Sequence, residues 1–182
     1  MIQMMEQLRT FGKSLVSGRE VNWESAYQAD LPRIYNFFRY RVCDGQIAED
    51  LTAETFEKAW RNRHRYRYDL AGFSTWLFTI ARNIVTDYYR KERPEIPLDD
   101  LASLAGGESV ENIVQSHSEF ERLSNLLAEL PDRERELIAL KYGADLTNRQ
   151  IAQLVGLSES NVGTILYRVT QGLRSAWEEE TP

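Results

Sequence analysis

The segment from residue 94 to residue 119 divides this chain of 182 residues into two parts. It contains two prolines, the Gly106-Gly107 pair, six acidic residues and no basic ones, and its apolar residues are sparse. Such a composition cannot bury enough apolar surface to offset the entropy lost on ordering the chain. We therefore predict that residues 94–119 form a flexible acidic linker between two small helical domains, at residues 22–93 and 120–178.

The first part of the chain has the apolar spacing of helices. Apolar residues recur every three or four positions from Trp23 to Val42, and Asn22 is a good N-cap for this stretch. A kink or break is expected at Pro32. Residues 1–21 have a weaker pattern interrupted by two glycines, and we predict a flexible leader there. Every element predicted in the chain is a helix, so the fold class is all-α.

A second helix is predicted from Ile47 to about Trp60, after a turn at Asp44-Gly45. Its apolar residues share one side, and Asp50, Glu54 and Glu57 lie together on the other. An acidic stripe of this kind is ordinarily a solvated surface. The alternative is a face on which a partner docks.

A third helix is predicted from residue 73 to residue 93, with Ser74 as N-cap and Pro94 beyond its end. One side faces the core with Phe73, Trp76, Leu77, Ile80, Ala81, Ile84 and Tyr88. The opposite side carries Phe78, Arg82, Val85 and Tyr89. A solvated face has little use for such apolar residues, so we expect this second side to be exposed for a function.

The segment before the third helix alternates cations with rings, as Arg65-Tyr66-Arg67-Tyr68. Between Arg61 and Arg93 the chain has eight basic and three acidic residues, although its net charge is −6. Guanidinium groups neutralise phosphates and aromatic rings stack on unpaired bases, so this pattern suits a single-stranded nucleic acid. The alternative is a solvated basic edge with Tyr66 and Tyr68 packed into the core.

The second part of the chain contains a helix-turn-helix pattern that begins at Thr147. Two helices precede it, the first ended by Pro131 and the second by a turn at Gly143. Thr147 and Gln150 form a capping box, and Gly156-Leu157-Ser158 makes the turn. The second helix of such a motif enters the major groove of DNA by its N-terminus. The residues nominated for contact are Ser160, Asn161, Thr164, Tyr167 and Arg168, and the alternative is a purely structural helix pair.

Several other functions find no support in the sequence. Cys43 is the single cysteine, so neither an intrachain disulfide nor a cysteine-based metal site is expected. His64 and His117 have no carboxylate or cysteine at ligand spacing, and no phosphate loop, nucleophile elbow or acid pair is present. We therefore predict no metal, no cofactor and no enzymatic activity. The absence of a signal peptide or a long apolar run predicts a soluble protein of the cytoplasm.

Three runs of the sequence resemble the sigma factors of bacterial RNA polymerase, specifically the small extracytoplasmic-function (ECF) group that keeps only regions 2 and 4. They are AEDLTAETFEKAW at 48–60, FSTWLFTIARNIVTDYYRK at 73–91, and LAELPDRERELIALKYGADLTNRQIAQLVGLSESNV at 127–162. They follow one another in the order of the family, with the acidic linker between the last two. The resemblance implies a subunit that binds core RNA polymerase, recognises −35 and −10 promoter elements and promotes DNA melting.

The resemblance also implies a role for each motif of the first part. The acidic helix is similar to region 2.2, which docks on the clamp helices of the polymerase β′ subunit through the positions of Asp50, Glu54 and Glu57. Ala53 stands where the family usually has Gln, which removes one expected hydrogen bond. The basic and aromatic stretch is similar to regions 2.3 and 2.4. The −10 contacts that this implies are Arg65, Tyr66, Arg67, Tyr68, Phe78, Arg82 and Asn83.

The helix-turn-helix is similar to region 4.2, which reads the −35 element, and the β flap of the polymerase is a further implied partner. Arg149 joins the nominated −35 contacts through this resemblance. The family often has a basic-Ser-basic triplet where this chain has Gly163-Thr164-Ile165, so the base contacts stay open. The ECF group also implies an anti-sigma partner, which could hold the protein at the inner face of the membrane.

Two other functions stay open from the sequence. The first is a sigma-like mimic that titrates an anti-sigma factor without initiating transcription, although such mimics are usually fused to a receiver domain and this chain has no room for one. The second is an ordinary helix-turn-helix activator with an N-terminal sensor. Such a sensor has no reason to carry the helix at 73–93.

Overall fold

The protein was analysed as a computed structural model that describes residues 21–67, 69, 71–92 and 114–179, the side chains of Glu92 and of residues 114–118 excepted. The predicted leader up to residue 20, Tyr68 and residues 94–113 of the predicted linker lie outside the described residues. Within the described ranges the secondary structure is helical and contains no strand. The prediction of an all-α fold is confirmed.

Three helices form the N-terminal unit, by which we mean the described residues up to 92. They are α1 at Trp23–Val42, α2 at Gly45–Arg61 and α3 at Phe73–Glu92, with a 3-10 turn at Arg63–Arg65 between the last two. All three helices were predicted. The break predicted at Pro32 does not occur: α1 continues through the proline, and Tyr27 and Ile34 on either side of it are both buried in the core.

The helix starts of this unit follow from side-chain capping. Asn22 Oδ1 accepts a hydrogen bond from the Ser25 amide at 3.0 Å, as predicted. Asp44 Oδ1 accepts one from the Ile47 amide at 2.9 Å, so α2 begins at Gly45 rather than at Ile47. Ser74 is not the N-cap of α3, since the helix begins one residue earlier and the Ser74 hydroxyl donates to Asp30 instead.

Four helices form the C-terminal unit, by which we mean residues 114–179. They are α4 at Val114–Ala128, α5 at Asp132–Ile138, α6 at Asn148–Val155 and α7 at Glu159–Glu179, and a π-helical turn at Ala139–Gly143 extends α5. Residues 114–119, which were predicted as linker, are helical instead.

The pair α6 and α7 is the predicted helix-turn-helix. Thr147 and Gln150 form the reciprocal capping box at the start of α6. Gly156 ends α6 with a φ of 70°, a left-handed conformation that favours glycine. The Ser158 hydroxyl accepts a hydrogen bond from the Asn161 amide at 3.2 Å and so caps α7. The helix ends and the turn of the motif thus follow from neighbouring residues in the sequence.

The two units pack against each other and share one hydrophobic core. The π-helical turn of the C-terminal unit lies against α1 of the N-terminal unit. The backbones approach closely at the buried Gly143, where a Cβ atom would lie 2.7 Å from the backbone oxygen of Asn36. The sequence predicted two domains but did not predict this contact between them.

Candidate nucleic-acid interface

One side of α7 is exposed and carries the residues nominated for duplex DNA. Val162, Leu166 and Val169 point into the core and are at most 5% exposed. The opposite side is therefore left to solvent, and the Tyr167 ring is 70% exposed. The residues predicted for −35 contact are all exposed, namely Ser160, Asn161, Thr164, Tyr167 and Arg168 on α7 and Arg149 on α6.

Arg168 is the main cation on this side of α7. Its guanidinium forms an ion pair with Glu134 of α5, yet the Arg168 side chain remains 69% exposed. Ion pairs that water can reach are weak, because solvent screens the attraction between the charges. A DNA phosphate could therefore replace the carboxylate at little cost.

The acidic stripe of α2 is exposed as predicted. Leu51, Thr55, Phe56 and Ala59 are buried on the opposite side of the helix. Asp50, Ala53, Glu54 and Glu57 are exposed, and Glu57 forms an ion pair with Arg61 at 2.6 Å. Within the described part of the chain neither Asp50 nor Glu54 forms an ion pair, so the stripe presents free carboxylates to solvent.

The basic segment before α3 is divided between solvent and core. Arg65 and Arg67 are exposed, and Arg67 forms an ion pair with Asp69 at 2.7 Å, which lowers the pKa of that carboxyl. Tyr66 is half-buried, and its hydroxyl donates to the backbone oxygen of Ala71 at 3.2 Å. Burial raises the pKa of the Tyr66 phenol. The arginines therefore match the nucleic-acid interpretation, while Tyr66 matches the alternative in which its ring packs inward.

A cluster of aromatic rings that the sequence did not predict covers the start of α3. The Trp23 ring lies 5.3 Å from that of Trp60 and 5.2 Å from that of Phe73. Tyr66 and Trp76 complete the cluster, with 5.3 Å between their ring centroids. Three of the four tryptophans of the chain meet here, from three different helices. Spacing along a single helix cannot reveal such a cluster, although the abundance of tryptophan in this unit was a signal.

Phe78 does not lie on an exposed face, so its prediction as a −10 contact is wrong. Its side chain is fully buried and packs edge to face on Phe37 of α1, with 5.9 Å between the ring centroids. Val85, which lies two turns further along the same side of the helix, is also buried. The helix α3 is covered on two sides, because α1 and the C-terminal unit both contact it.

The two other residues predicted on this helix differ in exposure. Asn83 is exposed. Arg82 is half-buried, and its Nε atom donates to Glu136 Oε1 of α5 at 2.8 Å. A second nitrogen, Nη1, donates to the backbone oxygen of Leu154 in α6. Arg82 is therefore engaged with the C-terminal unit rather than with solvent.

The described part of the chain contains no group of three or more His, Cys, Asp or Glu side chains that could hold a metal ion. Cys43 is a half-buried thiol at the end of α1, and burial raises its pKa. Among the helices described here, none has the length and apolar character needed to cross a membrane.

Known proteins share both halves of this arrangement. The sequence matches the family described as sigma-70 region 2 over residues 26–95 and the family described as sigma-70, region 4 over residues 120–170. The ECF RNA polymerase sigma factor SigM of Bacillus subtilis is 33% identical over 159 residues, which cover 85% of this chain and 94% of SigM. SigW of the same bacterium, also an ECF sigma factor, is 30% identical over 164 residues that cover 80% of this chain and 86% of SigW.

A solved structure has the same fold. In the complex of the sigma factor RpoE with the anti-sigma factor NepR from Bartonella quintana, a chain covers 87% of this protein and 98% of its own length, with a TM-score of 0.65 and 19% identity. The helix-turn-helix and the three-helix unit thus define a promoter-recognising transcription factor. The chain belongs to the sigma-70 family, and within it to the ECF sigma factors, which act with core RNA polymerase on promoter DNA.

Proposed function

We propose that this sigma factor docks on core polymerase through the acidic stripe of α2, reads the −35 duplex with α7, and holds the unpaired −10 strand with the basic segment and α3. The observation that carries the proposal is the exposure of two surfaces of opposite character in one chain. The acidic stripe on α2 and the polar, cationic side of α7 are both accessible.

For docking, Asp50, Glu54 and Glu57 would meet a basic surface on the β′ clamp helices. Charge complementarity of this kind speeds the encounter and selects the partner. Ala53 is exposed between them and offers a methyl group where an amide could have bonded. The carboxylates therefore carry the contact without that hydrogen bond. The β flap is proposed as a second contact of the polymerase, with the C-terminal unit.

For the −10 strand, the proposed contacts are Arg65, Arg67 and Asn83, which are exposed, together with Tyr66, which is half-buried. Stacking of a base on an aromatic ring is worth about 1 to 3 kcal/mol and helps to offset the cost of unpairing. Arg82 is proposed as a further cation for this strand. Tyr68 belongs to the same segment and lies outside the described residues.

For the −35 duplex, α7 would enter the major groove by its N-terminus. Ser160, Asn161 and Thr164 then lie closest to base edges, and Tyr167 lies further along the helix. Arg149 and Arg168 would mainly hold phosphates, which position the protein without reading sequence. The exposed Thr164 and the half-buried Gly163 carry no charge, so few base contacts can be charge-assisted.

In this proposal the chain supplies binding free energy and the polymerase performs the chemistry, so no residue here acts as a catalyst. The setting is the cytoplasm, where core polymerase and promoter DNA are found. RpoE of Bartonella quintana was solved with the anti-sigma factor NepR. An anti-sigma partner is therefore proposed for this chain too, and such a partner could hold it at the inner membrane face.

The test is run-off transcription with core polymerase on genomic fragments. We expect transcripts that start at a defined set of promoters only when this chain is added. A mimic that titrates an anti-sigma factor would bind such a partner yet give no transcript. The absence of any promoter-specific transcript would therefore reject the proposed function in favour of the mimic.

A further inference from the structure

An arginine lies over a tryptophan ring where α2 ends. The guanidinium carbon of Arg63 is 4.4 Å from the centroid of the Trp60 ring. Arg63 Nη1 also donates to the backbone oxygen of Trp60 at 2.8 Å. That oxygen belongs to the last turn of α2, where carbonyl groups carry partial negative charge. Two contacts of different kinds therefore hold the guanidinium in place over the ring.

The Trp60 ring is in turn fixed by the ring cluster around the start of α3. It meets the Trp23 ring edge to face, with 5.3 Å between the centroids and 90° between the planes. Trp23 meets Phe73 in the same way at 5.2 Å. Such edge-to-face pairs are favourable, and here they join rings from three helices. A ligand that binds on Arg63 therefore meets a surface that is already ordered, which lowers the entropy lost on binding.

Arg63 differs in exposure from the other arginines that lie over rings. The guanidinium groups of those arginines are inside the fold, because the residues are buried or half-buried; they are Arg33, Arg39, Arg41 and Arg122. Arg63 is exposed. One side of its guanidinium lies on Trp60, and the other side faces solvent. The outer side can therefore take a third planar group, since nucleobases stack on guanidinium planes as they do on aromatic rings.

The contacts of Arg63 also leave it able to hold a phosphate. Its exposed neighbours Arg61 and Arg67 pair with Glu57 at 2.6 Å and with Asp69 at 2.7 Å. Arg63 forms no ion pair with any residue that the structure describes, and its Nε and Nη2 atoms have no acceptor among those residues. A phosphate therefore binds these nitrogens without displacing a carboxylate. A planar group joined to a phosphate is a nucleotide.

We propose that Arg63, held on Trp60, is a stacking site for one unpaired base next to those bound by Arg65 and Arg67. This inference rests on the proposed function, in which the basic segment binds the −10 strand, and it adds a contact at the end of α2. The base stacks on the outer side of the guanidinium, and its phosphate binds Nε or Nη2. Stacking does not read the edge of a base, so the site adds affinity without sequence preference.

The test separates bases from phosphates. Fluorescence anisotropy at low ionic strength measures binding of the full chain to a thymidine oligonucleotide and to an abasic strand of the same length. The ratio of the two affinities reports the bases alone, because both strands carry the same phosphates. Arg63→Lys keeps the positive charge and removes the plane. We expect this variant to lower the ratio about tenfold, within the range for one stacked base, and to leave binding of the abasic strand nearly unchanged.

Arg61→Lys is the matched control, since Arg61 is an exposed arginine of the same segment that lies over no ring of the described chain. It should keep the wild-type ratio. Trp60→Leu removes the ring beneath the guanidinium and should lower the ratio as Arg63→Lys does. Circular dichroism shows whether the Trp60 variant is folded. Arg63→Lys changes an exposed side chain and decides the question if it is not.

Three results would overturn the stacking site. They are equal binding of the two strands by wild type, a wild-type ratio in Arg63→Lys, and a fall of the ratio in Arg61→Lys as large as that in Arg63→Lys. The last of these would mean that any arginine of the segment contributes alike.

The measurement needs no transcription, so the stacking site and the proposed function fail separately. A lower ratio in Arg63→Lys, in a chain that supports no promoter-specific transcript, would reject the proposed function and leave the stacking site standing. Promoter-specific transcription by wild type, together with an unchanged ratio in Arg63→Lys, would reject the stacking site alone.

Discussion

The exposed side of α7 and the second side of α3 both have residues that suggested a surface kept for DNA, but only the first is exposed. On α7 that side carries Ser160, Asn161 and Thr164, which are polar and lie in solvent. On α3 it carries Phe78 and Val85, which are apolar and buried. The comparison teaches that an apolar side of a helix is first of all a candidate for protein packing, because burial of apolar area is the larger free energy.

The difference in exposure between these two helix sides also depends on how far away in the sequence the residues that cover them lie. The inward residues of α7 pack on α6 and on the other helices of the same C-terminal unit, and the apolar spacing of α7 alone shows which side they occupy and which side is left exposed. The second side of α3 is covered by α1 and by the C-terminal unit. The residue that Phe78 contacts lies more than 40 residues earlier in the chain, and the residue that Arg82 contacts lies more than 40 residues later. A periodicity within one helix cannot show partners at that distance.

The largest effect is expected for Phe78, the buried residue of this comparison, and it concerns the free energy of unfolding. Phe78→Ala leaves a cavity beside Phe37, and such a change typically costs about 3 to 5 kcal/mol in the free energy of unfolding. Tyr167→Ala, on the exposed side of α7, should change it by less than about 0.5 kcal/mol. Urea unfolding followed by circular dichroism measures both. Unchanged stability of the Phe78 variant would restore Phe78 to an exposed, functional surface.

The next largest effect is expected on the affinity for core polymerase. The acidic stripe of α2 proposed for docking is exposed, as is the outer side of α7. If the α2 stripe meets a basic surface of the clamp helices as proposed, Asp50→Arg/Glu54→Arg places like charges together, which costs several kcal/mol, or about a hundredfold or more in affinity. Helicity should be unchanged, since both side chains project away from the core. Pull-down of core polymerase measures the loss.

The matched control for docking is Glu129→Arg/Glu178→Arg, which reverses two exposed carboxylates of the C-terminal unit. It changes net charge by the same amount and leaves the α2 stripe intact, so it should lose far less of the binding than the α2 variant, even though the C-terminal unit is proposed to contact the β flap. Equal loss in both variants would show that overall charge rather than the α2 stripe governs the interaction with polymerase.

The sequence predicted the helices and their ends better than it predicted which sides of the helices are exposed. The helices, the Thr147 capping box and the turn at Gly156 depend on neighbouring residues, and the structure contains each of them. The acidic stripe of α2 was also predictable, since three carboxylates at helical spacing have no place in a core. The burial of Phe78, the ring cluster around Trp23 and the bond from Arg82 to Glu136 all join residues far apart in the chain. These contacts appear only when the helices are assembled.

A smaller effect is expected for duplex recognition by α7. Thr164→Ala and Arg168→Ala should each weaken recruitment of the polymerase to a fully paired promoter by about 1 to 3 kcal/mol, the range for single base or phosphate contacts. A promoter whose −10 region is already mismatched and open should be affected less, because the −10 strand then supplies part of the binding. Gel shift on the two templates measures the difference. Equal weakening on both would mean that α7 does not act through the −35 element.

The smallest effect is expected on α3, where Asn83 is the nominated residue that remains exposed. Asn83→Ala removes one neutral hydrogen-bonding side chain, worth about 0.5 to 1.5 kcal/mol, so strand opening should fall by a few-fold to tenfold. Closed-complex formation should be unchanged, because the −35 contacts are intact. Permanganate reactivity of unpaired thymines measures opening on the paired promoter.

Thr86→Ala is the control, since that exposed hydroxyl is already bonded to the Arg82 carbonyl of its own helix at 2.8 Å. Normal opening by the Asn83 variant would leave α3 with a packing role alone and would extend the lesson of Phe78 to the whole helix.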